Sequence, residues 1–389
     1  MKERIALTAC CLAAALFCFG KTAQAAPALS LPPPPHLGAS AAILMDYRTG
    51  QVLYEQNGYR RRSPASTTKI MTAILALKYG NLNRIVRVSL HAAATPGSSM
   101  HLRAGQKYTL GDLLQGLLLR SGNDAATAIA ETVSGTEAKF AVLMNQEAAR
   151  LGARNTRFVN PHGLTIVGHY SSAHDLALLS RYAFHDPRFA RIVGSKAAVA
   201  TELSRGQKVL MRSTNRLLWY YPGIDGVKTG TTNAAGPCLV ASASRNGWRL
   251  IAVVLNSPDR WGDAPALLDY GFANYTPVQL VQAGDLLRTV PVTGGVGKRV
   301  TVIAQRDLNL VVPRPELGQV RLKLTLPPVV EAPVAKGQPL GTLVASLGDR
   351  IQGRTVLLAT TTIPARSPED LFWFWLTEAV RWLEAGGLV

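Results

Sequence analysis

Ser66-Thr67-Thr68-Lys69-Ile70-Met71-Thr72-Ala73-Ile74-Leu75-Ala76-Leu77-Lys78-Tyr79 is almost continuous in apolar or small side chains. The run is too long for a strand and predicts a buried helix. Lys69 is out of place in such a helix. One turn after Ser66 and on the same face, its ammonium loses hydration, which favours the neutral amine. A serine hydroxyl is a weak nucleophile until a base stands within hydrogen-bond reach, and a desolvated lysine is a plausible base. Because Ser66 opens the helix, backbone N–H groups and the positive helix end favour negative charge developing near its oxygen. Alone, this spacing also fits an ordinary helix start with a surface lysine.

Two further motifs follow in fixed order. Ser121-Gly122-Asn123 offers a hydroxyl for proton relay and an amide for a substrate carbonyl, although these are also common turn residues. Lys228-Thr229-Gly230 reads as a cleft-lining strand whose cation draws an anionic substrate terminus and whose glycine lets a substrate backbone approach. Read blandly, it is a charged edge strand. The three together, in order, describe a serine-lysine acyl-transfer site.

Around these motifs, Ala41–Asp46 and Gln51–Tyr54 flank a glycine turn and read as a hairpin. Further helices are predicted at Leu110–Arg120, Asp124–Thr132, Glu137–Leu151 and Ser172–Ala183, and strands return at Leu239–Ala243 and Leu250–Leu255. From Tyr275 to about Thr362 the pattern is of short strands without a convincing helix. Val320, Leu322, Leu324 and Leu326 alternate with Arg321, Lys323 and Thr325, the mark of a half-buried sheet. The division read from this is a signal peptide at 1–25, a Pro-rich leader at 26–38, a catalytic domain at 39–275, a smaller all-β domain at 276–364 and an amphipathic helix at 365–389.

The first 25 residues carry Lys2 and Arg4, an apolar run and Ala23-Gln24-Ala25, a secretory pattern that places the protein outside the cytoplasm. Cys10, Cys11 and Cys18 fall inside it, leaving Cys238 alone in an apolar strand without an arranged histidine. The formal net charge of +18 suits anionic lipid or cell-wall polymers. It also suits nucleic acid, which is excluded as a partner by the export signal and by the lack of any recognition motif. His162 and His174 lack partners at metal-ligand spacing, so no metal and no cofactor is implied. At the other end, Leu371-Phe372-Trp373-Phe374-Trp375-Leu376 and Trp382-Leu383 cover most of a helix circumference, with Thr377, Glu378, Arg381 and Glu384 as a narrow polar stripe. Too short and charged to span a bilayer, the helix is expected to lie at a membrane surface. Packing on the β-domain is the alternative.

The triplets, with Gly97-Ser98-Ser99, Leu119-Arg120-Ser121-Gly122-Asn123-Asp124-Ala125, Asn160-Pro161-His162-Gly163-Leu164, Tyr170-Ser171-Ser172-Ala173-His174-Asp175 and Gly226-Val227-Lys228-Thr229-Gly230-Thr231-Thr232, resemble a low-molecular-mass penicillin-binding protein, a D-alanyl-D-alanine carboxypeptidase of the type 5 family. The resemblance implies an α/β (α+β) transpeptidase domain of the penicillin-binding and β-lactamase type, with a central antiparallel sheet and a helical subdomain. It also implies Ser66 as nucleophile, Lys69 as base, and Ser121 with Lys228 protonating the leaving D-alanine. Asn123, Thr229, Gly230 and Thr231 would bind substrate, and N–H groups of Ser66 and Thr231 would form the oxyanion hole. Arg260 falls where a second basic residue for the substrate carboxylate would lie. Thr231 stands where the family often has histidine. The implied partners are peptidoglycan stem peptides ending in D-Ala-D-Ala, and β-lactams as covalent inhibitors. Two rivals are a class A β-lactamase, whose E-x-x-L-N pattern Glu131, Glu137, Glu147 and Glu202 do not begin, and a catalytically silent wall-binding module.

Overall fold

The computed structural model describes residues 31–384. The signal peptide, the first residues of the leader and the last five positions of the chain lie outside them.

Asp46 ends the first strand, Ala41–Asp46, and its carboxylate accepts from the N–H and Oγ1 of Thr49 at 2.6 and 2.7 Å. That Asx turn, completed by Gly50 at φ 76°, reverses the chain into Val52–Gln56. Both strands join Trp248–Leu255, Gly236–Arg245 and Ile224–Thr232 in a five-stranded antiparallel sheet, ordered Val52–Gln56, Ala41–Asp46, Trp248–Leu255, Gly236–Arg245, Ile224–Thr232. The first strand is buried at every position because both sheet faces are covered. On one face Ile43, Met45, Ile251 and Val253 pack with the helical subdomain; on the other Ala42, Leu44, Leu250 and Val254 pack with Leu267, Leu268 and Phe272.

The helices of the subdomain follow their sequence signals. They run Leu110–Leu119, Asn123–Ser134, Glu137–Arg150 and Ala173–Ala183, with Thr109, Thr136 and Ser172 as side-chain N-caps. Several elements were not foreseen, two of them large. The hairpin Ala197–Glu202 and Gln207–Arg212 is one. The other is a fifteen-residue helix, Arg260–Asn274, which carries Pro265 inside it. Its start is fixed by Asp259, whose side chain accepts from Gly262 N at 3.0 Å, and its apolar side chains have a sheet to cover.

The stretch Ser66–Tyr79 is a helix in two parts. Ala65–Thr68 is a 3-10 turn and Lys69–Tyr79 an α-helix, ended by Gly80 in extended conformation. From Tyr275 to Ala359 the chain is β-structure, broken by a 3-10 segment at Arg314–Gln319, and the helix Pro368–Glu384 follows. The main sheet has the order Val320–Thr325, Pro339–Leu347, Arg350–Ala359, Arg299–Ala304, Leu286–Thr293, Val330–Glu331. Its core is aliphatic: Val290, Val300, Val302, Leu343, Ala345 and Leu357 are buried. The alternating segment Val320–Thr325 is the edge strand, so Leu322 stays 49% exposed although the alternation is regular. Gln51 ties the two parts of the chain together, donating through Nε2 to Val311 O at 2.9 Å, and Val311 enters the core behind the five-stranded sheet.

Candidate active site

The 3-10 turn at Ala65–Thr68 presents Ser66 at the surface end of a buried helix. Ala65 adopts φ +48° and Ser121 φ +61°, a left-handed backbone that costs a non-glycine residue of order 1–3 kcal/mol. Both strained residues border the same cleft, one just before Ser66 and one in the second motif. Ser66 is partly exposed, whereas Lys69, Ser121, Asn123, Lys228 and Thr229 are buried.

Lys69 Nζ lies 2.9 Å from Ser66 Oγ, 2.7 Å from Asn123 Oδ1 and 2.7 Å from His162 O. Burial drives its pKa well below the usual lysine range, Lys228 nearby lowers it further, and Asp124 opposes with a smaller raising effect. A neutral amine has two N–H bonds and one lone pair. The amide oxygen of Asn123 and the carbonyl of His162 take the two N–H bonds, which leaves the lone pair for the Ser66 hydroxyl.

Each of those acceptors is itself held. Asn123 Nδ2 donates to Pro96 O at 2.6 Å and Asn123 N to Ser98 O at 2.7 Å. The Asn123 oxygen is thereby turned to Lys69, and its amide, read from sequence as a substrate ligand, is engaged at both ends. The buried carboxylate of Asp124 accepts from Ser99 Oγ, Met100 N and Leu102 N at 2.6–3.0 Å, fastening the loop that carries Pro96 and Ser98. Sequence reasoning assigned Asp124 no role. Its signal was an acid in the first turn of a helix beside a serine-rich loop, and the partners became visible only on folding.

His162 accepts from Leu164 N through Nδ1 at 3.2 Å, so Nε2 carries the proton and faces Glu137 Oε1 at 3.7 Å. Burial first, then Lys69, pushes its pKa down to about 3. His169 accepts from Val159 N and donates through Nε2 to Thr68 Oγ1 at 2.9 Å, with burial holding its pKa at about 4. Both imidazoles are neutral linkers beside Thr68 and Lys69. His174 lies apart, 3.2 Å from Asp175 Oδ1 and stacked on Tyr59.

The third motif lies on the edge strand Ile224–Thr232. Lys228 Nζ donates to Thr229 O at 3.0 Å; burial and, secondarily, Arg260 push its pKa down to about 7. Thr229 Oγ1 shares a 2.7 Å hydrogen bond with Thr214 Oγ1. Gly230 has a different neighbour from the one expected of it. A Cβ there would stand 2.9 Å from Ser66 N and 3.1 Å from both Ala65 Cβ and Pro64 O, so the glycine lets the strand close onto the Ala65–Thr68 turn. Gly163 does the same from the other side: at φ +88°, its Cβ would fall 1.9 Å from Ala65 O. Arg260 Nη1 donates to Gly230 O, Thr231 Oγ1 and, more weakly, Cys238 O at 2.9–3.2 Å, which braces the motif strand. Cys238 is buried in the neighbouring strand, and burial raises its thiol pKa.

A family model described as D-alanyl-D-alanine carboxypeptidase matches residues 28–259, and one described as the C-terminal domain of penicillin-binding protein 5 matches residues 275–365. D-alanyl-D-alanine carboxypeptidase DacC of Escherichia coli is 37% identical over 361 residues, 88% of each chain. DacF of Bacillus subtilis is 37% identical over 315 residues, 79% of this chain and 81% of the relative. The solved structure of penicillin binding protein 5 from Haemophilus influenzae superposes with a TM-score of 0.77 at 32% identity, covering 86% of this chain and 99% of that one. Matched along most of its length, with a serine, two buried lysines and a close-packed glycine meeting in one cleft, the chain belongs to the D-alanyl-D-alanine carboxypeptidase family of penicillin-binding proteins.

Proposed function

We propose that the protein is a serine-type D-Ala-D-Ala carboxypeptidase that removes the terminal D-alanine from peptidoglycan stem peptides and is acylated by β-lactams at the same residue. The observation that carries this reading is the arrangement at Lys69, two acceptors for its N–H bonds and Ser66 Oγ at 2.9 Å. Ser66 attacks the carbonyl between the two D-alanines as Lys69 takes its proton. The tetrahedral oxyanion sits between N–H groups of Ser66 and Thr231, on the side where Gly230 brings strand and turn together. Ser121 and Lys228 return a proton to the leaving D-alanine, and water then hydrolyses the acyl-enzyme. Thr229 and the second N–H of Asn123 Nδ2 hold the peptide, and Arg260 stands beside the strand that receives its carboxylate. No residue of this scheme calls for a metal or cofactor.

The glutamates between the second and third motifs favour this over a β-lactamase. Glu131 accepts from Ser89, Glu137 from Thr127, Glu147 from Lys78 and Arg150, and Glu202 from backbone N–H groups. None of the four forms a hydrogen bond with Ser66 or Lys69. Incubation with a diacetylated Lys-D-Ala-D-Ala peptide tests the activity. Release of D-alanine that is blocked by penicillin is expected, and labelling by fluorescent penicillin without D-alanine release would reduce the protein to a binding module.

The same reading places the enzyme outside the cytoplasm and at a membrane surface. Pro368–Glu384 is a helix opened by a capping box, in which Ser367 N donates to Asp370 Oδ2 and Asp370 N to Ser367 Oγ. Phe372, Trp373, Trp375, Val380, Trp382 and Leu383 are exposed along it, a wide apolar surface suited to the headgroup region. No helix among the described residues is long and apolar enough to cross a membrane. Truncation after Arg366 is expected to give a soluble protein that still binds penicillin, and unchanged membrane recovery would refute the anchor.

A further inference from the structure

Three cations gather at the motif strand. Lys228 is buried within it and Arg260 braces it; burial lowers the pKa of the Arg260 guanidinium, Cys238 opposes that, and Arg216 stands close enough to lower it further. Among the described residues no carboxylate lies within salt-bridge distance of any of the three. The acids nearest in sequence are committed elsewhere. Asp259 accepts from Gly262 N, and Asp263 accepts from Ser257 Oγ and Gly38 N. Both arginines lie against one indole. The guanidinium of Arg260 lies 4.9 Å from the ring centroid of Trp261, and that of Arg216 lies 5.7 Å from it. A cation held against an aromatic ring keeps its charge and most of its N–H donors free.

The backbone brings Arg216 to the cleft. Thr214, two residues before it, shares its hydroxyl hydrogen bond with Thr229 of the motif, and Asn215 Nδ2 donates to Gly226 O of the same strand at 3.0 Å. Arg260, by contrast, has one guanidinium nitrogen already committed to the oxygens of Gly230, Thr231 and Cys238. Like charges held together without an acid raise the local potential and favour an arriving anion.

We propose that Arg216, positioned by Trp261, is a specificity residue for the terminal carboxylate of the peptide substrate, acting beside Arg260. The inference rests on the carboxypeptidase reading, in which the leaving D-alanine carries that carboxylate to the Lys228-Thr229-Gly230 strand. A bidentate guanidinium suits a planar carboxylate and gains nothing from a neutral terminus. The enzyme thereby prefers free peptide ends over peptides continued or capped at the same position.

The test compares the intact protein with Arg216→Ala, Arg216→Lys and Trp261→Ala on diacetyl-Lys-D-Ala-D-Ala and on the same peptide with a C-terminal amide. For Arg216→Ala, KM for the acid should rise about tenfold with kcat nearly unchanged, while kcat/KM for the amide stays as it was, the pattern of a lost charge contact at a binding site. Lysine should recover part of the loss, and Trp261→Ala should shift the acid-to-amide ratio in the same direction as Arg216→Ala. An equal loss on both peptides, or an unchanged KM for the acid, overturns the proposal. Absence of D-alanine release by the intact protein overturns the carboxypeptidase reading and this inference with it, whereas an active parent with an unaffected Arg216→Ala variant overturns this inference alone.

Discussion

The cleft of the catalytic domain and the core of the β-domain are built on opposite terms. Of the buried polar and charged residues, all but Thr355 lie between Asp46 and Asp263. Behind the cleft, Lys69, Lys228, Asp124, His162 and His169 sit in the interior, and Ala65 and Ser121 hold left-handed backbone at its edge. The β-domain core, Val290, Val300, Val302, Leu343 and Leu357, is aliphatic. Thr355, its buried hydroxyl, answers the N–H and carbonyl of Arg306 at 3.1 and 3.0 Å. Buried charge costs free energy wherever it is unpaired, so a protein concentrates it where it does chemistry. One region is shaped for reactivity and the other for stability.

The sharpest break of that contrast comes at the nucleophile pair. Ser66→Ala should lower acylation by fluorescent penicillin at least about ten-thousand-fold, and Lys69→Met roughly a thousandfold, because one change removes the proposed nucleophile and the other the proposed base. An adduct found by mass spectrometry on any other serine would overturn the assignment.

Lys228→Met separates function from stability. The ordinary lysine pKa is 10.5, and the folded value is about 7. Below pH of about 7 both states hold the proton and the folded state bears the whole cost of burying it. Between about 7 and 10.5 the unfolded chain holds more protons, so the stability of the parent rises with pH. Above that window the difference is gone. Lys228→Met should therefore stabilise the fold at pH 6 by on the order of a few kcal/mol. The gain should fade toward pH 10.5, while D-alanine release is lost. Denaturant melts at both pH values check the sign, and destabilisation at pH 6 would show that the ammonium is held by more than burial suggests.

In the β-domain the direction reverses. Val302→Ala should cost about 2 kcal/mol through the cavity it leaves, and Thr355→Val about 1–3 kcal/mol because it strands a backbone N–H of Arg306. Neither should change the penicillin acylation rate by more than about twofold, since neither residue touches the cleft. A matching loss of acylation would show that the two regions are not energetically separate.

What the sequence determined by itself is what short spacing determines. The i, i+3 relation of Ser66 and Lys69, the Asp46–Gly50 turn, the capped helices and the strand alternation after Tyr275 are relations between near neighbours, and local backbone geometry is enough to realise them. Tertiary structure decided the rest. Pro265 and the mixed composition of Arg260–Asn274 hid a helix whose formation depends on a sheet to cover, and the even alternation at Val320–Thr325 could not tell an edge strand from a central one. Gly230 proved to face Ser66, Asn123 to turn its oxygen to Lys69, and Arg216 to approach Arg260 across an indole. Those meetings join segments far apart in the chain, and no local periodicity records which buried donors will find which acceptors once the loops have closed.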